Sequence, residues 1–201
     1  MKNTKNATRR LVLAAMMGAL SFVLMYFSIS IPILSPFAEI DLSALPELIG
    51  GFLLGPLGAI EIVSLKILLK LAFKGTESMF TGELQALLLS LAYVLPAVFY
   101  YRKHRTKKGA AIGLVMGVTV AVVISVFTNM FIIFPFYMYL YGMDWNSIIK
   151  IFSAINPWIN NVPTMIILSI IPFNILTRSI TAVLAMLLYK RISNPIKNLV
   201  Q

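Results

Sequence analysis

The fold of this chain is decided by residues 41–58, Asp41-Leu-Ser-Ala-Leu-Pro-Glu-Leu-Ile-Gly-Gly-Phe-Leu-Leu-Gly-Pro-Leu-Gly58. An acidic residue opens an apolar segment that is rich in glycine, and the segment is interrupted at Gly55-Pro56. Glycine is common directly after a helix, and proline suits the first turn of a new one. The pattern predicts a short helix that ends at Gly55 and a second helix that turns straight back beside it.

The composition places the chain in a membrane. Of its 201 residues, 59% are hydrophobic and 12% are charged, and the mean hydropathy is +0.89. A soluble domain carries about 25% charged residues. Because a membrane-spanning helix needs about 20 mostly apolar residues, the length accommodates six or seven helices at most and leaves no room for a soluble catalytic domain. We expect a single membrane domain over residues 1–201.

Six helices are predicted from the hydrophobic runs and their breaks, at about 8–30, 43–55, 57–73, 82–101, 109–134 and 162–190. The first run follows basic residues, as in a secretory signal. It is longer than a signal core and precedes no small-residue cleavage motif, so we expect a retained helix. The alternative to the second and third helices is one helix over 42–73, which would be about 48 Å long.

The distribution of charge supports six spans and sets their orientation. Six spans place both termini and the loop 102–108 on one side, and these regions hold twelve of the seventeen basic residues: Lys2, Lys5, Arg9, Arg10, Arg102, Lys103, Arg105, Lys107, Lys108, Lys190, Arg191 and Lys197. Six of the seven acidic residues fall toward the opposite side: Glu39, Asp41, Glu47, Glu77, Glu83 and Asp144. Because basic residues are retained in the cytoplasm, both termini are predicted to be cytoplasmic. Five spans would separate the basic clusters.

Several classes of function are disfavoured by the same sequence. The net charge of +10 is explained by topology and by contact with anionic lipids, so no nucleic-acid partner is expected. The chain has no cysteine, its one histidine is His104 in a basic loop, and it contains no phosphate-binding loop or catalytic signature. We expect neither an enzyme nor a metal site.

Residues 41–58 strongly resemble the corresponding stretch of the riboflavin-specific substrate-binding (S) subunits of energy-coupling factor (ECF) vitamin transporters. The resemblance extends to the small residues of the first helix, to Lys74–Leu84, to the region of Asn129 and to Pro172–Asn174. It implies a multi-pass protein of the bacterial cytoplasmic membrane that captures riboflavin as cargo and has no cofactor of its own. The implied partners are a transmembrane coupling subunit and two ATPase subunits that use ATP.

The first predicted helix carries four small residues, Ala14, Ala15, Gly18 and Ala19. Positions four apart share a helix face, and small side chains let a second helix approach closely. From the residues alone, the approaching helix belongs either to this bundle or to another protein. In the ECF family, such a face docks the coupling subunit, and the resemblance implies that role here.

The loop Ile31–Ile40 is apolar and too short to span a membrane. An exposed apolar loop is poorly solvated, so we expect it to fold over the bundle, either as a simple cap or as the lid of a ligand pocket. The family closes its vitamin site with the loop between the first two helices. The resemblance therefore implies an extracellular lid, with Phe37 against the ligand.

Three further positions in the outer half of the bundle are candidates for ligand contact. Glu83 lies in the first turn of a helix, where the helix dipole favours a carboxylate, and either caps that turn or contacts a ligand; Lys66 or Lys70 is its expected partner. Asn129 places an amide in an apolar segment, which requires a hydrogen bond to another helix or to a ligand. Phe131 either stacks on a flat ligand or joins the interfacial aromatic belt.

The last helix contains Pro172-Phe-Asn174 followed by Thr177 and Arg178. An arginine at membrane depth must be paired or hydrated, and it marks a functional site by default. The resemblance implies that Asn174, Thr177 and Arg178 contact the ligand, although Thr177 and Arg178 differ from the family pattern. Another vitamin or base-like ligand, a stand-alone membrane facilitator and a lipid-modifying enzyme are the alternative functions.

Overall fold

The structure is a computed structural model that describes residues 2–30, 37, 39–76 and 78–200, with side chains over 7–29, 37, 39–76 and 78–189. The helices are α1 (Lys2–Tyr26), α2 (Ala44–Phe73), α3 (Thr81–Lys103), α4 (Lys107–Thr128), α5 (Phe134–Tyr141), α6 (Trp145–Ser153), α7 (Val162–Met165) and α8 (Ile171–Val200). Two π-helical turns, Asn129–Ile133 and Ile166–Ile170, make α4 continuous with α5 and α7 continuous with α8. Strands β1 (Ile29–Ser30) and β2 (Glu39–Ile40) pair antiparallel at the two ends of the 31–38 loop.

Within the part of the chain that the structure describes, five stretches are long and apolar enough to cross a membrane: Ala7–Tyr26, Ala44–Phe73, Thr81–Lys103, Lys107–Tyr141 and Val162–Tyr189. The predicted all-α membrane class is confirmed. The predicted second and third helices both fall within α2. Whether α2 is one straight helix or two helices depends on the geometry of that element.

Helix α2 folds back on itself as a hairpin. Gly55 has φ 83° and ψ −173°, a conformation that is essentially restricted to glycine. The Glu47 carboxylate lies 2.5 Å from Nζ of Lys66, although nineteen residues of straight helix would separate them by about 28 Å. The predicted break at Gly55 is therefore confirmed, and the segments 44–54 and 56–73 run antiparallel. We call this element the α2 hairpin.

The turn of the α2 hairpin and several basic residues lie at one end of the bundle. Arg10 donates a hydrogen bond of 3.3 Å to the carbonyl of Leu54, directly before the turn, and the guanidinium of Arg102 lies beside the turn itself. The hydroxyls of Tyr101 in α3 and Tyr189 in α8 are 3.0 Å apart. The early part of α1, the turn and the late parts of α3 and α8 therefore lie at the same end of the bundle.

A buried polar network joins α1, the α2 hairpin and α3. Its centre is the ion pair of Lys66 and Glu47, whose side chains are 2% and 0% exposed. Nζ of Lys66 also donates to the hydroxyls of Ser43 (3.2 Å) and Ser90 (2.9 Å). Ser21 of α1 donates to the carbonyl of Ser43 at 2.7 Å and to the Glu47 carboxylate at 3.3 Å. These hydroxyls partly replace the water that the two charges lose on burial.

The small residues of α1 are divided between two surfaces. Ala14 is 4% exposed, and a Cβ on Gly18 would lie 2.7 Å from a methyl carbon of Leu65, so both positions pack inside the bundle. Ala15 and Ala19 are exposed on the outer surface. Of the four residues predicted for docking, only Ala15 and Ala19 are therefore available to another protein.

The apolar core lies between α2, α3, α4 and α8 and includes Leu48, Ala59, Tyr93, Val94, Ala97, Val98, Leu114, Ala121 and Ala185. Helix α4 comes unusually close to α3 because two of its contact positions are glycines. A Cβ on Gly113 would lie 2.7 Å from the carbonyl oxygen of Ala97, and one on Gly117 would collide with the carbonyl oxygen of Tyr93. This contact fixes Tyr93 in the centre of the bundle.

Two features differ from the predicted helices or fall outside them. Most of the loop predicted as a lid, 31–36 and residue 38, lies outside the described residues. Helix α6 is not among the predicted elements. Its N-cap residue is Asp144, which accepts a hydrogen bond of 2.8 Å from the backbone N–H of Ser147, and the helix buries Ile148 and Phe152. The hydrogen bonds from Ser147 hold the pKa of Asp144 below its usual value.

Candidate ligand-binding site

A cavity of about 410 Å³ lies at the end of the bundle opposite the turn of the α2 hairpin. Its walls come from the C-terminal end of α1, the end of α2, the start of α3, the π-helical turn after α4, and α5, α6 and α8. The volume is within the range of about 300–1,000 Å³ that is typical of small-molecule sites. The polar lining residues include Glu83, Asn129, Asn174, Thr177 and Arg178, and Phe37 also lines the cavity. The structure therefore brings together six of the seven predicted ligand-contact residues.

Both asparagines of the cavity are placed by π-helical turns. Asn129 begins the first such turn, and its amide nitrogen donates to the carbonyl of Ser125 at 2.7 Å. Asn174 follows the second turn, and its amide nitrogen donates to the carbonyl of Ile170 at 2.9 Å. A π-helical turn is wider than an α-helical one and is frequent at functional sites. With one N–H of each amide bound to its own helix, the amide oxygen and the second N–H are left for a ligand.

Thr177 and Arg178 extend the polar wall along α8. The hydroxyl of Thr177 donates to the carbonyl of Phe173 at 2.8 Å and keeps its acceptor lone pairs for other partners. The guanidinium carbon of Arg178 lies 5.5 Å from the centre of the Tyr93 ring, within the range of a cation–π contact. Among the described residues, Arg178 forms no salt bridge.

The Glu83 carboxylate is already bound by protein groups. One oxygen lies 2.8 Å from Nζ of Lys70, and the other accepts hydrogen bonds from Thr76 at 2.9 Å and from Ser78 at 3.3 Å. The predicted pairing of Glu83 with one of two lysines is confirmed, and the partner is Lys70. Glu83 therefore fixes the loop before α3 against the cavity wall and presents its lysine partner there.

Phe37 lines the cavity at its rim. Its ring is 43% exposed and packs edge-on against Tyr137 of α5 and Phe152 of α6, with 5.7 Å between ring centres in each case. One residue of the 31–40 loop thus contacts two helices on the far side of the opening. Separation of these rings would widen the cavity.

The structure corrects the prediction for Phe131. This side chain is 71% exposed and stacks on Phe127 outside the cavity, with ring centres 6.1 Å apart. Asn129 and Ile133 line the cavity. Residues two positions apart on a helix point in different directions, so Phe131 cannot share the surface formed by these two neighbours.

The cavity also contains Phe134 and Tyr137, whose sequence positions suit either a flat ligand or the interfacial belt. Five further aromatic residues of the cavity were not predicted as ligand contacts: Phe22, Tyr26, Tyr141, Phe152 and Phe173. The signal for Phe152 is present in the sequence, because Trp145, Ile148 and Phe152 repeat at helical spacing after the N-cap residue Asp144. The signal for Tyr137 is ambiguous, since tyrosines near the end of a span are equally typical of an interfacial belt.

The arrangement suits a flat molecule with polar edges. Aromatic rings form broad walls, and the amide oxygens, the Thr177 hydroxyl and the Arg178 guanidinium supply acceptors and donors on one side. The described residues contain no group of three or more histidines, cysteines or carboxylates that would hold a metal ion.

Comparison with known proteins gives one consistent result. Residues 9–189 match the family described as "ECF transporter, substrate-specific component". The chain is 29% identical over 191 residues to the riboflavin transporter RibU of Staphylococcus aureus (strain TCH60), covering 95% of this chain and 94% of RibU. It is 27% identical over 130 residues to the riboflavin transporter FmnP of Bacillus subtilis (strain 168), covering 64% and 68%. A solved structure of the S component of a bacterial ECF transporter superposes with a TM-score of 0.73 at 28% identity, covering 95% of this chain and 99% of that one.

Proposed function

Because the chain belongs to the family of ECF transporter substrate-specific components, we propose that it is the riboflavin-binding subunit of an ATP-driven ECF importer. The observation that carries the choice of cargo is the cavity itself, which combines aromatic side chains with the amides of Asn129 and Asn174 and the guanidinium of Arg178. A flavin offers a flat ring for the walls and a pyrimidine edge and ribityl hydroxyls for the polar groups. The names of the relatives RibU and FmnP support the same cargo.

The proposed binding mode assigns a role to each polar group. The oxygens of Asn129 and Asn174 accept from the ligand, Thr177 accepts beside them, and Arg178 donates. Phe37 covers the ring from the opening, as part of a lid formed by the 31–40 loop. Glu83 acts indirectly, since its oxygens are bound to Lys70, Thr76 and Ser78.

The proposed topology has six spans, with both termini in the cytoplasm of a bacterial cell and the cavity open to the outside. The antiparallel segments of the α2 hairpin support six passes, because each pass reverses the direction of the chain. The positions of Arg10 and Arg102 at the turn end support a cytoplasmic assignment for that end.

The proposed partners are a transmembrane coupling subunit and two ATPase subunits. Ala15 and Ala19 are exposed on α1 and form the proposed docking surface for the coupling subunit. ATP is hydrolysed by the partners, and this subunit binds flavin as cargo, with no cofactor and no catalytic step of its own.

The test is titration of the detergent-purified protein with riboflavin, followed by quenching of flavin fluorescence. We expect tight one-to-one binding and a yellow preparation. If the protein does not bind riboflavin but binds another vitamin or a nucleobase, the transporter assignment stands and the proposed cargo is replaced. Uptake of riboflavin into liposomes whose membranes contain this subunit alone would instead favour a stand-alone facilitator.

Replacement of Asn174 by leucine is expected to weaken riboflavin binding about tenfold or more, because the ligand loses an acceptor inside a desolvated site. The same titration measures the effect. Asn146→Leu is the matched control, since Asn146 is exposed on α6 and does not line the cavity. Unchanged affinity in Asn174→Leu would remove α8 from the binding site.

A further inference from the structure

Tyr93 of α3 connects the core of the bundle to the cationic wall of the cavity. The residue is 0% exposed, and its hydroxyl donates to the backbone carbonyl of Arg178 at 2.9 Å. The hydroxyl of Thr181 lies 3.4 Å from the same tyrosine oxygen and donates to the same Arg178 carbonyl at 2.9 Å. The Tyr93 ring lies 5.5 Å below the guanidinium. A single buried side chain therefore contacts both the backbone and the charged group of Arg178.

The guanidinium of Arg178 is left with unused donors. Nε is buried and has no hydrogen-bond partner among the described residues, and no carboxylate of that part of the chain pairs with the group. The three acids that line the cavity have other partners: Glu83 pairs with Lys70, Glu39 accepts from the Ser28 hydroxyl, and Asp41 accepts from the backbone N–H of Ser43 at 2.6 Å. An arginine presents five donors and no acceptor, so the group facing it must supply oxygen or nitrogen lone pairs or a negative charge.

We propose that Tyr93 is a positioning residue for Arg178, and that the two together select ligands with an acceptor edge turned toward α8. The proposal rests on the proposed function, in which the pyrimidine carbonyls of riboflavin form that edge. Tyr93 acts through Arg178 and has no contact with the ligand, since it is absent from the cavity lining. The close contact with Gly117 of α4 keeps the tyrosine from shifting when the cavity fills.

A double-mutant cycle on riboflavin affinity tests this role. Arg178→Gln is expected to weaken binding by about tenfold to a hundredfold, as for the loss of a charged hydrogen bond. Tyr93→Leu is expected to weaken binding by about tenfold, and Tyr93→Phe by less, because phenylalanine keeps the ring under the guanidinium. In the Arg178→Gln background, Tyr93→Leu should cause no further loss, because its effect passes through the arginine.

The outcomes separate the two proposals. If the losses from Arg178→Gln and Tyr93→Leu multiply, Tyr93 supports the fold in general and the positioning role is overturned. The role is equally overturned if Tyr93→Leu leaves the affinity for riboflavin unchanged. Failure of the unmodified protein to bind riboflavin would overturn the proposed function, and the present inference with it.

Discussion

Leucine at both Ala15 and Ala19 is expected to abolish riboflavin uptake by the assembled transporter and to leave riboflavin binding to the isolated subunit unchanged. Both alanines are exposed on the outer face of α1, one helical turn apart, and they lie outside the cavity lining. Two isobutyl groups would hold a partner helix away from the close approach that small residues allow. Uptake of labelled riboflavin into cells and titration of the purified variant measure the two quantities.

The matched control is Val115→Leu with Thr119→Leu, a pair of exposed positions with the same spacing on α4. This control should transport normally, because it adds apolar volume to a surface that faces lipid in the proposed assembly. Normal uptake by the Ala15/Ala19 variant would show that α1 does not dock through these residues. Loss of both binding and uptake would indicate misfolding.

Replacement of Lys66 by methionine is expected to cause the largest loss of stability. The change leaves the buried Glu47 carboxylate without its counter-charge, and breaking a buried ion pair in this way typically costs about 3–5 kcal/mol. For a chain of this length, such a loss corresponds to a fall of about 10 °C in the melting temperature. Thermal unfolding of the detergent-solubilised protein measures it.

Two further variants make this result interpretable. Glu47→Leu combined with Lys66→Met should recover most of the lost stability, because a well-packed apolar pair can replace a buried ion pair. Lys70→Met should cost less, since the side chain of Lys70 is 20% exposed and the Glu83 carboxylate keeps its hydrogen bonds from Thr76 and Ser78. If Lys66→Met and Lys70→Met lower the melting temperature equally, the deeper burial of the Lys66–Glu47 pair does not increase the contribution of that pair to stability.

The backbone features with local chemical causes were predictable from the sequence. The Gly55-Pro56 pair predicts the turn of the α2 hairpin because only glycine readily adopts the observed φ of 83°, and the structure places the turn there. The pairing of Glu83 with Lys66 or Lys70 was also predictable, because an intramembrane lysine requires a partner. The choice of Lys70 depends on tertiary packing, which sequence spacing does not specify.

The direction in which each side chain of a helix points, toward the bundle or away from it, was not predictable from the sequence. Ala14 and Ala15 belong to equally good small-residue patterns, yet packing against Leu65 places Ala14 and Gly18 inside and leaves Ala15 exposed. Phe131 looked suitable for stacking, but the π-helical turn places it outside the cavity. A π-helical turn changes the phase of every later residue and has no clear sequence signature.

The α2 hairpin also constrains how the protein is made. The segment 44–54 is far shorter than the roughly 20 apolar residues that a lone helix needs to enter a bilayer, and it carries Glu47, while the returning segment carries Lys66. Neither segment by itself is a favourable substrate for the membrane-insertion machinery. Once Lys66 pairs with Glu47, and Ser21 of the preceding helix donates to the same carboxylate, the two segments form a unit that can leave the translocon laterally together. Pairing of Glu47 with Lys66 therefore lowers the cost of placing either charge inside the bilayer.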